Sequence, residues 1–318
     1  MKIVVTGCAG FIGSNFANYW LNSHTGDTVI GIDCLTYAAN ITALSELKAR
    51  DKFKFYKANI CNKKKIQEIF VEECPDAVIN FAAESHVDRS IADSGVFVKT
   101  NVLGTQTLLD ACLKCGISRF HQISTDEVYG DMPLDLDVAF TEKSPLNPSS
   151  PYSASKAAAD LLALSYCKTH GLFVTVSRCA NNYGKYQHTE KLIPKIIEHA
   201  INNKAIPIYG NGLNVRDWIH VLDHCRAVDT IIQKAAPASV YNIGSNTLLS
   251  NLELTKQILF ILGKREDLIT FVADRPGHDR KYALDCTKLT SELGWCAQDP
   301  FSRGLEETIS HYVSKFNH

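Results

Sequence analysis

The chain opens with Lys2-Ile3-Val4-Val5-Thr6-Gly7-Cys8-Ala9-Gly10-Phe11-Ile12-Gly13, a β-branched apolar run followed by the glycine pattern GxxGxxG. An apolar helix reaching about Asn22 comes next, so the glycines stand directly between a strand and a helix. Glycines at these spacings allow a tight turn and bring the backbone close to a pyrophosphate, which the helix N-terminus attracts. We therefore expect Gly7, Gly10 and Gly13 to hold a dinucleotide; a βαβ unit that binds nothing is the alternative.

A second strand, Asp27 to Ile32, ends at Asp33, twenty residues after Gly13. An acid at this distance accepts hydrogen bonds from the adenosine ribose hydroxyls. The four residues that follow, 34–37, include no Arg or Lys that could neutralise a 2′-phosphate. The sequence therefore predicts NAD rather than NADP.

Alternation of strands and helices continues over some 178 residues. Strands are predicted at 54–58, 77–83, 120–123 and 173–178, with helices to about 73, over 97–115 and after Pro151. This order predicts an α/β fold with a doubly wound, Rossmann-like parallel sheet, whose ligands lie beyond the carboxyl ends of the strands. The glycines, Asp33, residues 83–85 and residues 125–127 all fall at such ends, which predicts one shared site.

Two polar segments carry the chemistry of that site. Ser124-Thr125-Asp126-Glu127 ends a short apolar strand, and burying a hydroxyl and two carboxylates there is costly unless they serve a site. Tyr152 and Lys156 are four apart on a predicted helix, so the ammonium can lower the phenol pKa and make Tyr152 a base. The alternatives are a helix cap for the first segment and a solvated helix face for the second.

Composition sets the surroundings of the protein. The chain has 318 residues, a net charge of −1 and a pI near 6.8, which gives no indication of nucleic acid or an acidic membrane as partner. No signal peptide or membrane-spanning stretch is recognisable, so we expect a cytoplasmic protein with reduced cysteines. The only CxxC, Cys112 to Cys115, lies in an apparent helix without a second pair, which favours packing over a metal site.

The second half of the chain is less regular. Residues 206–212 are predicted as a turn-rich segment, 216–221 and 240–244 as short strands, and Asn251 as the cap of a helix over 252–262. Basic residues at 191, 216, 275 and 280 could clamp a diphosphate. Ordinary surface ion pairing is the alternative for each of them.

Several motifs together resemble a known family. The glycine pattern, Asp33 and Tyr152-Ser153-Ala154-Ser155-Lys156 resemble an extended short-chain dehydrogenase/reductase that acts on nucleotide sugars. Four longer strings, at 82–90, 124–130, 190–194 and 274–280, narrow the resemblance to the dTDP-glucose 4,6-dehydratase family, over Lys2 to about Tyr312. Adjacent Asp126 and Glu127 are the specific feature, because related epimerases and decarboxylases lack the acid pair.

The resemblance implies an NAD-dependent lyase reaction that converts dTDP-glucose to dTDP-4-keto-6-deoxyglucose, for deoxysugar synthesis such as that of rhamnose. Tyr152, assisted by Lys156, would take the O4 proton while hydride leaves C4, and Thr125 would hydrogen-bond that oxygen. Glu127 would remove the C5 proton, and Asp126 would protonate the departing 6-hydroxyl. Hydride would then return to C6.

The resemblance also implies binding residues, a domain division and a homodimer. The cofactor site would be lined by Gly7, Gly10, Phe11, Ile12, Gly13, Asp33, Thr36, Asn59, Ile60, Ala82, Ala83, Thr100, Tyr152, Lys156 and Asn182. The substrate would be held by Ser85, Thr125, Asn181, Lys191, Leu192, Pro207, Tyr209, Arg216, Asn251, Arg275 and His278. Residues 1–178 and about 216–244 would form the NAD-binding domain, and about 179–215 and 245–318 a smaller mixed α/β domain for the nucleotide sugar. The dimer would form through the Tyr152 helix and the helix at 97–115.

Two positions depart from the family pattern, and two other functions stay open. Asn59 stands where Asp is usual, and Lys281 where Arg is common. The nearer alternative function is the same reaction on UDP-glucose or a 4-epimerisation, although an epimerase needs no acid to expel water. The other is a non-catalytic NAD-binding regulatory protein.

Overall fold

A seven-stranded parallel sheet forms the larger part of the structure, a computed structural model that describes residues 1–274 and 276–316. Its strand order is β10-β6-β5-β4-β1-β2-β3, so the chain winds outward in both directions from the centre. The strands are β1 (Lys2–Thr6), β2 (Thr28–Asp33), β3 (Phe53–Lys57), β4 (Ala77–Asn80), β5 (Arg119–Thr125), β6 (Phe173–Cys179) and β10 (Val240–Ile243). The doubly wound sheet predicted from the sequence is confirmed.

Helices cover both faces of this sheet, because its strands carry apolar side chains on both faces and each face must be shielded from water. One apolar core surrounds Phe16 and Trp20 on one face, and a second surrounds Phe70 and Phe120 on the other. The covering helices are α1 (Phe11–Ser23), α2 (Ile41–Lys48), α3 (Lys63–Glu73), α4 (Val87–Ala92), α5 (Ser94–Phe97), α6 (Gly104–Cys115), α7 (Pro151–His170), α9 (Val221–Lys234) and α11 (Thr287–Leu293).

The predicted helix over 97–115 contains a wider π-helical turn, Val98–Leu103, between α5 and α6. Asn101 in this turn exchanges two hydrogen bonds with the backbone of Glu84 and donates a third to Ser155 on α7, over 2.8–3.0 Å. Such turns are frequent at functional sites. Here the turn ties the loop after β4 to the helix that carries Tyr152.

The remaining elements form a smaller unit around a third apolar core that includes Tyr183, Trp218 and Tyr312. A three-stranded sheet has the order β11-β9-β7, and a separate pair joins β12 to β8. These elements are β7 (Asn181–Tyr183), α8 (Leu192–Ile201), β8 (Ile206–Tyr209), β9 (Val215–His220), β11 (Leu248–Ser250), α10 (Asn251–Ile261), β12 (Ile269–Val272) and α12 (Phe301–Phe316).

Three details of this half differ from the sequence-based expectations. The first four residues of the segment predicted as turn-rich form strand β8, because they pair with β12, a distant strand that local sequence does not indicate; residues 210–212 turn as predicted. The helix cap is Ser250 rather than Asn251, since the Ser250 hydroxyl accepts from Glu253 N and the Glu253 carboxylate accepts from Ser250 N. Strand β9 joins the small sheet, while β10 joins the large one. The division into an NAD-binding domain of residues 1–178 and about 216–244 and a second domain of the remaining residues stays a prediction.

None of the helices in the described part of the chain is long and apolar enough to cross a bilayer. All eleven cysteines are free thiols. Cys112 of the CxxC sequence is buried in the core between α6 and the sheet, which agrees with a packing role.

Candidate active site

The turn between β1 and α1 is built as a cradle for an anion. Gly7 has φ +67°, and an added Cβ there would lie 2.8 Å from Ala82 N, so only glycine fits. Helix α1 begins at Phe11 without a side-chain cap and with no acid in its first turn. Its first amide groups and positive dipole end are therefore available to a pyrophosphate, and these features fit NAD.

The cleft in front of this turn brings together nine of the fifteen predicted cofactor residues. They are Gly7, Gly10, Phe11, Ile12, Gly13, Ala83, Tyr152, Lys156 and Asn182. The cleft lining does not include Asp33, Thr36, Asn59, Ile60, Ala82 or Thr100. The role of these six in binding the cofactor stays a prediction.

Asp33 is held in place by the glycine turn. Its carboxylate accepts hydrogen bonds from Ala9 N at 3.0 Å and Leu35 N at 2.7 Å. Burial raises the pKa of Asp33, and these two amide hydrogen bonds oppose that rise. Each oxygen keeps a further lone pair, so the carboxylate can still accept from a ribose hydroxyl.

Thr125, Asp126 and Glu127 meet at the end of β5, where the chain enters a 3₁₀ turn over Asp126–Tyr129. Asp126 is 2 % exposed and accepts the Thr125 hydroxyl at 3.1 Å, while its other oxygen is buried without a partner among the described residues. Burial and the neighbouring charge of Glu127 raise the pKa of Asp126 well above its ordinary value. Glu127 is only half-buried. The pair is thus suited to one protonated and one ionised carboxyl.

Tyr152 and Lys156 face the same cleft from the first turns of α7. Ser150 caps this helix through a reciprocal pair of bonds with Ser153, and Pro151 occupies the first position. The Lys156 ammonium donates to the carbonyl oxygen of Ile123 on β5. These anchors fix the phenol and the ammonium on one face of the helix.

The predicted lowering of the Tyr152 pKa is wrong. Burial, followed by the charge of Glu127, raises the pKa of Tyr152 well above 10. Hydrogen bonding with Thr125 works in the opposite direction. Burial also lowers the pKa of Lys156, so the ammonium is itself hard to keep charged. The four-residue spacing identifies the pair, but the cost of burying it depends on the tertiary structure.

A second cavity continues from the first and is lined by nine of the eleven predicted substrate residues. They are Ser85, Asn181, Lys191, Leu192, Pro207, Tyr209, Arg216, Asn251 and His278. Thr125 lines the first cavity, and Arg275 lies outside the described residues. Seven residues line both cavities, Glu127 among them, so Glu127 stands at their junction while Asp126 lines the first cavity.

The basic residues predicted to clamp a diphosphate do not all face this cavity. Arg216 does, stacked 4.4 Å from the ring of Tyr282 and donating to the carbonyl of Asp279. Lys191 donates to the carbonyl of Ser85 at 2.9 Å and lines both cavities. Arg280 instead forms an exposed ion pair with Asp131, which was the alternative for this residue.

Sequence reasoning missed a polar bridge between two residues of the cleft lining, Tyr37 and Glu190. Arg89 pairs with Glu190 over 2.6 Å and stacks 3.8 Å from the ring centroid of Tyr37. His188 packs edge-on against the same ring, and His86 approaches Glu190 to 3.7 Å. Arg89 and Glu190 are far apart along the chain, so the sequence holds no local signal that they meet.

Tyr282 is another lining residue that the sequence did not single out. It is 4 % exposed, and its hydroxyl donates to Asp279, which also accepts from Ser149. Burial, followed by the charge of Glu127, raises the pKa of Tyr282 above its ordinary value. Its phenol therefore stays neutral beside the acid pair.

The glycine cradle, the Tyr-Lys pair and an adjoining cavity with basic and aromatic walls define an extended short-chain dehydrogenase/reductase of the kind that modifies nucleotide sugars. A model of the GDP-mannose 4,6 dehydratase family matches residues 4–308. The chain is 48% identical to a dTDP-glucose 4,6-dehydratase of Haemophilus influenzae, over 98% of both chains. It is also 49% identical to a low-salt glycan biosynthesis protein of Haloferax volcanii, over 98% of this chain and 99% of that protein.

A solved structure is similar over its whole length. It is a dTDP-glucose 4,6-dehydratase of Streptomyces venezuelae with NAD bound, 43% identical, with a TM-score of 0.96 and coverage of 100% of this chain and 98% of that chain. The chain belongs to the GDP-mannose 4,6 dehydratase family and, within it, to the dTDP-glucose 4,6-dehydratases.

Proposed function

We propose that the protein is an NAD-dependent hydro-lyase that converts dTDP-glucose to dTDP-4-keto-6-deoxyglucose. The observation that carries this proposal is the position of Glu127 at the junction of the two cavities, with Asp126 and Tyr152 in the lining of the first. One buried and one half-buried carboxyl can act as acid and base on the same sugar. Relatives 43% to 48% identical carry the same activity in their names.

The first task of the protein's side chains is to free the sugar 4-hydroxyl of its proton. Bound NAD supplies the hydride chemistry, accepting a hydride from C4 and returning it to C6. Tyr152 takes the O4 proton as general base, and the Thr125 hydroxyl hydrogen-bonds the same oxygen. Lys156 favours the ionised phenol by its positive charge, against the burial that disfavours it.

The acid pair then removes water across C5 and C6. A ketone at C4 acidifies the proton on C5, which the Glu127 carboxylate accepts. Burial and the charge of Glu127 raise the pKa of Asp126 and so favour its protonated form, and Asp126 donates its proton to the departing 6-hydroxyl. Glu127 returns a proton to C5 when C6 is reduced. The product can feed deoxysugar synthesis, of which rhamnose formation is one example.

The nucleotide end of the substrate fits the second cavity. Arg216 and Lys191 supply positive charge there, and Tyr209 and His278 meet edge to face with ring centroids 6.1 Å apart. Basic side chains suit a diphosphate, and aromatic rings suit a pyrimidine base. Lys191 also donates to the carbonyl of Ser85, which supports a diphosphate site close to the sugar site.

The activity is tested by incubating the protein and NAD with dTDP-glucose and with UDP-glucose, in separate reactions. We expect a 4-keto product, followed by its absorbance in alkali, from dTDP-glucose. A 4-keto product from UDP-glucose and none from dTDP-glucose would show that the enzyme catalyses the same reaction on the uridine nucleotide. A 4-epimer without a keto product, or no turnover of either sugar, would refute the dehydratase assignment.

We also place the enzyme in the cytoplasm as a homodimer. The free thiols of all eleven cysteines suit a reducing compartment. Leu161 on α7 and Val98 and Leu103 on the preceding helix expose apolar side chains, 47% to 58% accessible, which suit an interface. Light scattering should give twice the chain mass, and Leu161→Glu should reduce it to one; a monomeric wild type would refute the dimer.

A further inference from the structure

A buried row of charged side chains continues behind the phenol and ammonium of the active site. Asp160 lies one helical turn beyond Lys156 on α7, with exposed fractions of 0% and 5% respectively. Arg178 on β6 is 4% exposed, and its Nε donates to Asp160 Oδ2 over 3.1 Å. Its Nη1 donates to the Tyr129 hydroxyl over 3.0 Å. The Asp160–Arg178 pair thus anchors α7 to the sheet directly below the site.

Asp160 also lies on the same buried helix face as Lys156, although its ion pair is with Arg178 and the ammonium of Lys156 donates to Ile123. Tyr152, Lys156 and Asp160 follow at four-residue intervals, so their side chains share one face of the helix. Oδ1 of Asp160 meets hydrogen-bond geometry with no described residue. Burial raises the pKa of Asp160, and the positive charges of Arg178 and Lys156 oppose that rise and favour the carboxylate. Burial lowers the pKa of Lys156, and the charge of Asp160 is the main influence that raises it again.

We propose that Asp160 is a positioning residue for the dehydration: it holds Lys156 as an ammonium ion beside Tyr152, and Arg178 limits how much of its negative charge Lys156 receives. This inference rests on the proposed function of Tyr152 as the base. It adds a third residue, which touches neither sugar nor cofactor, to the Tyr-Lys pair.

Of the groups around Lys156, Asp160 is the one whose charge can keep the ammonium protonated. From β5, the Ile123 carbonyl accepts the ammonium, and from β6 the Cys179 thiol faces it. Asp126 and Glu127 on the 3₁₀ turn are acidic and act on Tyr152, where they disfavour the phenolate. A buried ammonium without a counter-charge tends to lose its proton, and a neutral amine would no longer favour the ionised phenol.

The test compares the pH dependence of kcat in NAD-loaded enzyme. Wild type is assayed first, since absence of product there would refute the proposed function rather than the role of Asp160. Asp160→Asn should move the alkaline limb, where Lys156 loses its proton, down by about one pH unit or more. In Arg178→Met the negative charge of Asp160 acts on Lys156 without its ion pair to Arg178. The alkaline limb should therefore stay at the same pH or move to higher pH.

A control separates this effect from simple destabilisation. Asp223 is a second buried carboxylate, paired with Arg226 over 2.6 Å on α9, outside the lining of both cavities. Asp223→Asn should lower stability without moving the limb. An equal downward shift in Asp160→Asn and Arg178→Met, or no shift in Asp160→Asn, would overturn the proposal.

A second measurement covers the case in which Asp160→Asn fails to fold because Arg178 loses its partner. The double variant Asp160→Asn/Arg178→Met removes both charges, and its alkaline limb should move down as for the single Asp160 change. Ionisation of Tyr152, followed without substrate by phenolate absorbance relative to Tyr152→Phe, should require a higher pH in this variant than in wild type. Unchanged ionisation would contradict the role of Asp160.

Discussion

Replacing Gly13 by alanine should weaken NAD binding by about 5- to 150-fold, because the new methyl group collides with the cofactor turn. A Cβ at this position would lie 2.2 Å from the carbonyl oxygen of Gly7 and 2.9 Å from its carbonyl carbon. Carbon atoms in contact need about 3.5 Å, so the turn must move by about 1 Å. The obstacle is backbone and cannot rotate away. Overpacking of this kind costs about 1–3 kcal/mol, which gives the range of Kd above.

Calorimetric titration of NAD into cofactor-free protein measures this loss directly. Gly26→Ala is the matched control, since an added Cβ there meets no atom within 4 Å. It should bind NAD as tightly as wild type does. Gly13→Ala with wild-type affinity and wild-type thermal stability would refute the assignment of this turn as the pyrophosphate cradle.

Three further outcomes are expected. Glu127→Gln and Asp126→Asn should each slow formation of the 4-keto product by about 10²-fold or more, and near-normal rates in both would remove the acid–base assignment. His121 and His224, whose pKa burial lowers to about 3, charge only in the unfolded chain below about pH 6.5. Each of the two histidines should therefore lower the free energy of unfolding, measured in urea, by about 2 kcal/mol between pH 7.5 and pH 5. The His224→Gln variant should lose less over this pH range than wild type does, and a loss equal to that of wild type would contradict this reasoning. Arg89→Ala removes the contacts to Glu190 and Tyr37 and should speed NAD release by up to about tenfold. Less NAD should then stay with the protein after gel filtration, and unchanged retention would contradict a role of this bridge in holding NAD.

The large sheet and its glycine turn could be predicted because their signals are local. Continuous apolar runs mark strands buried on both faces, and glycine spacing marks the turn. Strand β8 could not, because Pro207 and nearby glycines suggest a turn while the strand depends on pairing with Ile269–Val272, some sixty residues away. Tertiary pairing outweighs local preference in such segments.

The active site divides in the same way. The polar strand end at Thr125 and the Tyr-Lys spacing are visible in the sequence, and so is the repulsion between adjacent Asp126 and Glu127. The sequence does not show how deeply each group is buried, and burial sets the direction in which the pKa of Tyr152 shifts. The pairing of Arg89 with Glu190 joins residues 101 positions apart and needs the fold to be seen.

The measurement closest to the central claim follows a label within one sugar. With dTDP-glucose carrying deuterium at C4, convergence of the phenol, the threonine and both acids beside the nicotinamide predicts that the label reaches C6 of the same molecule. Mixing with unlabelled substrate should give no exchange between molecules, and reaction in deuterated water should label C5 through Glu127. Label that is lost to water, transferred to another molecule or retained at C4 of an epimer would contradict a single enclosed site that dehydrates the sugar.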